Sequence, residues 1–120
     1  MSIAPEEVVA FWREAGYGQW FRGGDAFDAE CRARFLDAHH AAARREYEGW
    51  MDTADGALAL LVLLDQIPRN VFRGSGHAFA TDPLALHYAT RAIGAGFDAR
   101  VDPALRFFLS RTSSTGQIYQ

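Results

Sequence analysis

The chain has 120 residues, of which 49% are hydrophobic and 13% aromatic, so it folds as one globular domain and is not a disordered segment. A net charge of −3 and a pI near 5.7 exclude a sequence-independent grip on nucleic acid. All twelve basic residues are Arg, which removes lysine nucleophiles and Schiff-base chemistry, and the single cysteine, Cys31, excludes an intrachain disulfide.

Residues 1–7 are acidic and carry no long apolar run, so no signal peptide is expected; the chain reads as soluble, cytoplasmic and away from membranes. A first helix is expected over residues 5–15, opened by Pro5 and ended by Gly16, with a Gly/aromatic loop over 16–24. The second starts at Asp25 and runs to Glu48. Phe27, Cys31, Phe35, Ala38 and Ala42 form its apolar stripe, and Asp28, Arg32, Asp37, Arg44 and Arg45 its polar face. The third spans residues 53–66 and is stopped by Pro68.

A fourth helix opens at Asp82-Pro83, with Asp82 as its cap, and carries Leu84, Tyr88 and Ala92 on one side before Gly94-Ala95-Gly96. A short fifth begins at Asp102-Pro103 and holds Leu105, Phe108 and Leu109. Residues 110–120, rich in Ser and Thr, read as a loose tail behind a domain of residues 1–109. No run alternates as a strand pair does. The expected fold is all-α, with antiparallel helical hairpins and about five helices.

The segment 58–74 stands out chemically. Leu58-Ala59-Leu60-Leu61-Val62-Leu63-Leu64 is apolar on every face of a helix and must be buried, and it runs directly into Asp65-Gln66-Ile67-Pro68-Arg69-Asn70-Val71-Phe72-Arg73-Gly74. Its end therefore delivers an acid, two amides and two arginines to the edge of the core, where they need partners or a ligand.

The matching stretches Val8-Val9-Ala10-Phe11-Trp12, Gln19-Trp20-Phe21, Asp25-Ala26-Phe27-Asp28-Ala29-Glu30, Arg34-Phe35, Leu63 to Asn70, Phe72-Arg73-Gly74 and Ala78 to Pro83 give the chain a family character. It resembles a bacterial family called domain of unknown function nine-two-four, over nearly everything from Glu6 to Leu109. The resemblance implies a tetratricopeptide-repeat-like all-helical fold and a hot region at Asp65 to Gly74, but no reaction. Members usually continue into further helices with a His-Ser-Glu cluster, whereas this chain turns into its Ser/Thr tail. That departure predicts an uncovered apolar face and hence a homo-oligomer.

Asp65, Gln66, Arg69, Asn70, Arg73 and His77 are the candidate ligand-binding residues. If the helical path persisted past Pro68, Asp65 would lie i, i+4 and i+8 from the arginines, accepting a fork from one and leaving the other for a carboxylate or phosphate. The opposing reading is an internal network in which the arginines pair with acids such as Asp82 or Glu30, while Asn70 satisfies carbonyls freed by Pro68.

The Gly-x-Gly of Arg73-Gly74-Ser75-Gly76-His77 is read as a connector before an anion cradle, and Ser75 lacks a nucleophile elbow. No metal site or cofactor is expected: among His39, His40, His77 and His87, adjacent His39 and His40 leave a helix about 100° apart, no His-x3-His pair or Glu at ligand spacing accompanies them, and they read as exposed helix histidines. Trp12, Trp20, Trp50, Phe21 and Phe79 are core before they are pocket walls.

Three functions remain in view. One is a binding module taking an anionic small molecule or acidic peptide. Another is an enzyme of unassigned type using Asp65 or His77 with Arg69 and Arg73. The last is a purely structural polar cluster.

Overall fold

Pro5 at the entrance and Glu6 and Glu7 in the first turn start helix α1 (Pro5–Arg22), since proline needs no donor there and the acids face the positive end of the helix dipole. A computed structural model describes residues 3–22 and 24–101. Gly16, with φ 72 and ψ 176, breaks the helical path as expected, but the chain resumes as helix beyond it, so residues 17–22 are not the loop that the Gly-rich sequence suggests. The kink is a glycine-only conformation.

Helix α2 (Asp25–Ala43) buries Phe27, Cys31, Phe35, Ala38 and Ala42, the stripe read from the sequence. It ends at Ala43, five residues short of Glu48. There Arg45 adopts a left-handed conformation (φ 64), its N–H donates to the Ala42 carbonyl (3.0 Å) and the Glu46 N–H donates to the Ala41 carbonyl (3.0 Å). This is a Schellman stop with arginine in the place that glycine usually holds. A 3-10 turn (Glu48–Asp52) leads to Thr53, whose Oγ1 accepts from the Gly56 N–H at 3.0 Å and caps α3 (Ala54–Leu61).

Pro68 does not stop this helix. The chain passes from α3 through a π turn (Val62–Gln66) into α4 (Ile67–Val71), making one continuous rod over 54–71 with Pro68 in the first turn of α4. The wider turn shifts the register, as the Ile67 N–H donating to the Val62 carbonyl shows. Residues 57–64 are all buried, and this rod is the centre of the core. Against it pack α1, α2 and α5 (Asp82–Gly94), which buries Ala85, Tyr88, Ala89 and Ala92 and leaves Leu84 only half-buried. Thr81, not Asp82, occupies the cap position of α5.

Among the described residues the fold is all-α with no strand, and no helix is long and apolar enough to cross a membrane. The large apolar side chains left open there are Phe79 and Ile93. The expected fifth helix from Asp102 and the tail over 110–120 lie outside the described residues, as does the residue-level placing of the Trp20 and Phe21 side chains.

Candidate functional site

The π turn and Pro68 together leave backbone acceptors without helical donors. Proline has no N–H, so neither the Leu64 carbonyl, four residues back, nor the Leu63 carbonyl, five back, receives a bond from it. Both are satisfied from outside the rod. His39 Nδ1 donates to the Leu63 carbonyl at 2.7 Å, and Thr81 Oγ1 donates to the Leu64 carbonyl at 2.6 Å. Asn70 was the residue expected to satisfy these carbonyls; it instead donates through Nδ2 to Asp28 Oδ1 at 2.9 Å.

Because the helical path does persist, Asp65 and Arg69 meet as an i, i+4 pair, Nη1 to Oδ1 at 3.0 Å. Arg69 Nη1 also donates to the Asp65 carbonyl oxygen, and Gln66 Nε2 donates to Asp65 Oδ2. The same guanidinium forks onto Asp82, Nη1 to Oδ1 at 3.1 Å and Nη2 to Oδ2 at 3.0 Å, and lies 5.2 Å over the Phe79 ring. Arg73 lies past the end of α4 and is not in line with Asp65. It forks onto Asp28, Nε to Oδ2 at 2.9 Å and Nη2 to Oδ1 at 3.1 Å.

Asp82 is thus a partner, as expected, but Glu30 is not. Glu30 pairs on the surface with Arg34 at 3.8 Å, and its anticipated place is taken by Asp28. Asp28 sits on the polar face of α2, which the sequence assigns to solvent; packing of α2 across α4 half-buries it. The Arg73 fork holds the Asp28 carboxyl below the usual carboxylate range, with burial opposing and Asn70 assisting.

Beyond Arg73 the chain turns through left-handed Gly74 (φ 84) into a 3-10 turn (Gly76–Phe79), started by Ser75, whose Oγ accepts from the His77 N–H at 3.2 Å. Ser75 therefore caps a turn. An open groove of about 590 Å³ lies between this turn and the two arginines, with Ala78 and Phe79 on its wall.

The histidines correct the sequence reading. His39, taken for an exposed helix residue, is completely buried, and His40 and His77 gather beside it with ring centroids 5.2 to 5.9 Å apart. Neighbours on one helix diverge from the axis, but the turn after Gly74 brings His77 against both, and one ring nitrogen from each of the three lies within 4.8 Å of the others. Phe72 closes one side, 4.1 Å from the His77 ring. Desolvation lowers the pKa of His39, partly offset by its bond to Leu63. His87 stays exposed on α5, apart from this group.

Cys31 is buried, and desolvation pushes its thiol up to about 12, so it is inert packing. Trp12 is core, and Trp50 stacks on Tyr47 at 4.4 Å. Phe79 alone of the described aromatic candidates faces the groove.

Residues 8–113 match the family described as bacterial protein of unknown function (DUF924). A solved structure of a protein of unknown function from Agrobacterium tumefaciens is similar, with 49% identity and a TM-score of 0.87 over 90% of this chain. The chain spans 61% of that protein's length. No curated protein matches it. With the Asp-Gln-x-Pro-Arg-Asn segment at the centre of the matched region, the chain belongs to the DUF924 family.

Proposed function

We propose that this chain is a non-catalytic helical binding module in which the Asp65–Arg73 cluster clamps the turn over 72–79 and the groove beside that turn receives the ligand. The charge count of the cluster carries the reading: Asp28, Asp65 and Asp82 bring three carboxylates to the two guanidiniums of Arg69 and Arg73. An anion arriving at Arg69 has to displace two acids, which makes Arg69 part of the clamp.

Arg73 differs. Its side chain is 57% exposed, and its Nη1 edge makes no hydrogen bond among the described residues, while Phe79 and Ala78 line the same groove. A ligand with one acidic group for Arg73 and an apolar group for Phe79, such as a small carboxylic acid or an acidic peptide end, fits this arrangement. Asp65 is already engaged by Arg69 and Gln66, which counts against an acid/base role; an enzymatic reading would rest on exposed His77.

The wider setting is proposed on narrower support. The pairing of α1 with α3 and of α3 with α5 is the trait favouring tetratricopeptide-like stacking. Phe79 and Ile93 are the anchor points for self-association, which light scattering against protein concentration tests. Buried Cys31 suits a cytoplasmic, reducing address.

A thermal-shift screen of small carboxylates and acid-ended peptides on wild type, Arg69→Ala and Arg73→Ala tests the binding reading. Arg73→Ala is expected to lose the ligand-induced rise in Tm while staying folded. If no acid stabilises wild type and both variants simply melt earlier, the cluster is structural only and the ligand proposal fails.

A further inference from the structure

The three-histidine cluster has no task in the clamp or in the groove. His39 and His40 come from the last turns of α2 and His77 from the turn after Gly74, 37 positions further on by number. One ring nitrogen from each falls within 4.8 Å of the others.

His39 supplies a second, independent observation. The Leu63 carbonyl can only accept, so His39 Nδ1 carries the proton in the bond between them, and in the neutral ring Nε2 keeps its lone pair. That nitrogen is buried and has no hydrogen-bond partner among the described residues; His40 and His77 stop short of bonding it. A buried lone pair without a donor is costly. An Nδ1–H held by a backbone carbonyl is also the usual way a ligating imidazole is oriented, and here the carbonyl is one that the π turn and Pro68 set free.

We propose that His39, His40 and His77 bind a first-row divalent metal ion, Zn²⁺ by ligand chemistry, through His39 Nε2 and one nitrogen of each partner. Imidazole ligands without a carboxylate in the set select zinc-like ions over Mg²⁺ or Ca²⁺. Tetrahedral Zn–N bonds of about 2.0–2.1 Å place ligand nitrogens about 3.4 Å apart, so the three must close from their present spacing. His77, exposed on its short turn, is the one free to make that movement. Three ligands leave a fourth position for water or an incoming donor.

The test uses the full chain stripped by a chelator and titrated with Zn²⁺ by calorimetry, with Co²⁺ absorption as a probe of coordination. One Zn²⁺ per chain is expected, with affinity reduced at least about tenfold in His77→Ala and in His40→Ala and unchanged in the exposed control His87→Ala. Because His39→Ala removes a core side chain, His39 is followed in wild type by nitrogen NMR, where its Nε2 resonance shifts on Zn²⁺ addition. Equal affinity in wild type and His77→Ala, a loss in His87→Ala, an unmoved His39 Nε2 resonance, or no binding below millimolar Zn²⁺ overturns the site. None of these readouts depends on the groove or on Arg73.

Discussion

Asp82 receives the guanidinium of Arg69 through two parallel hydrogen bonds of 3.1 and 3.0 Å, joining the first turn of α5 to the rod that it packs on. Both side chains are 27% exposed, and Asp65 on the other side of the guanidinium is 8% exposed. Removing the arginine takes the cation away from one largely buried carboxylate, which keeps its bond from Gln66, and releases another. Arg69→Ala is expected to cost about 3 kcal/mol of stability, read by urea denaturation followed by circular dichroism. A loss near that of Arg73→Ala, where the arginine is 57% exposed and Asp28 keeps its bond from Asn70 so that the cost is on the order of 1 kcal/mol, would show that the clamp is not centred on Arg69.

Thr81 and Pro68 are coupled through the Leu64 carbonyl. Thr81→Val leaves that oxygen without a donor and is expected to destabilise by roughly 1–3 kcal/mol. In a Pro68→Ala background the new backbone N–H offers a substitute donor, so the same change costs less. A double-mutant cycle giving strict additivity contradicts the shared carbonyl.

Gly56 reverses an ordinary rule. Alanine in place of a helical glycine usually gains about 0.5–1 kcal/mol. Here the added Cβ would lie 2.1 Å from the Trp50 carbonyl oxygen and 2.8 Å from Thr53 Oγ1. Gly56→Ala is expected to lower stability by roughly 1–3 kcal/mol, visible as a drop in Tm.

Arg45 offers the opposite case. Its left-handed backbone (φ 64) closes α2, and its surface pair with Glu48 spans 3.4 Å. Arg45→Gly relieves the strain and is expected to raise stability by about 1 kcal/mol, measured by the urea midpoint.

Two groups away from full solvent, His39 and Asp28, shape the acid side of the stability profile, beside exposed Glu46, which its hydrogen bond from Arg44 holds low. His39 has a folded pKa below its ordinary 6.5 because burial disfavours the imidazolium. The unfolded chain therefore takes up a proton that the folded chain refuses, and stability present above pH 6.5 falls as pH drops below it. Asp28, also depressed, from 3.8, stabilises above that value and loses its contribution as pH falls through its lower folded pKa. Urea midpoints across this range should step twice, and Asp28→Asn should shrink the lower step while leaving the upper one unchanged.

Helix starts were readable because their chemistry is local. Pro5, Thr53 and the Asp82-Pro83 pair each stand at or within one position of the observed start, and the α2 stripe from Phe27 to Ala42 is buried throughout. The stop at Ala43 was hidden because arginine sits where glycine would have marked it. The π turn was hidden for a different reason: residues 57–64 are buried on every side, so no polar face exists to reveal a slip in register.

At the site, the candidates from Asp65 to Arg73 fall into two hydrogen-bonded groups, Asp65, Gln66 and Arg69 with Asp82, and Asn70 and Arg73 with Asp28, and decisive partners around them lie far away in the chain. Asp28 reaches Arg73 across 45 positions and His39 reaches Leu63 across 24. Neither contact follows from helical spacing; both depend on how α2 lies across the rod. His77 joins neither arginine and belongs to the histidine group instead.

The π turn at Val62–Gln66 also fixes a phase. One residue more or fewer in a helix rotates everything downstream by about 100°. Arg69 and Asn70 find Asp82 and Asp28 only at their present azimuth. A single deletion within 62–66 would give a more regular helix whose distal third points its polar side chains away from both acids. The irregular turn acts as the protractor of the fold, and a length change there would be felt at the far end of the rod before it was felt in the core.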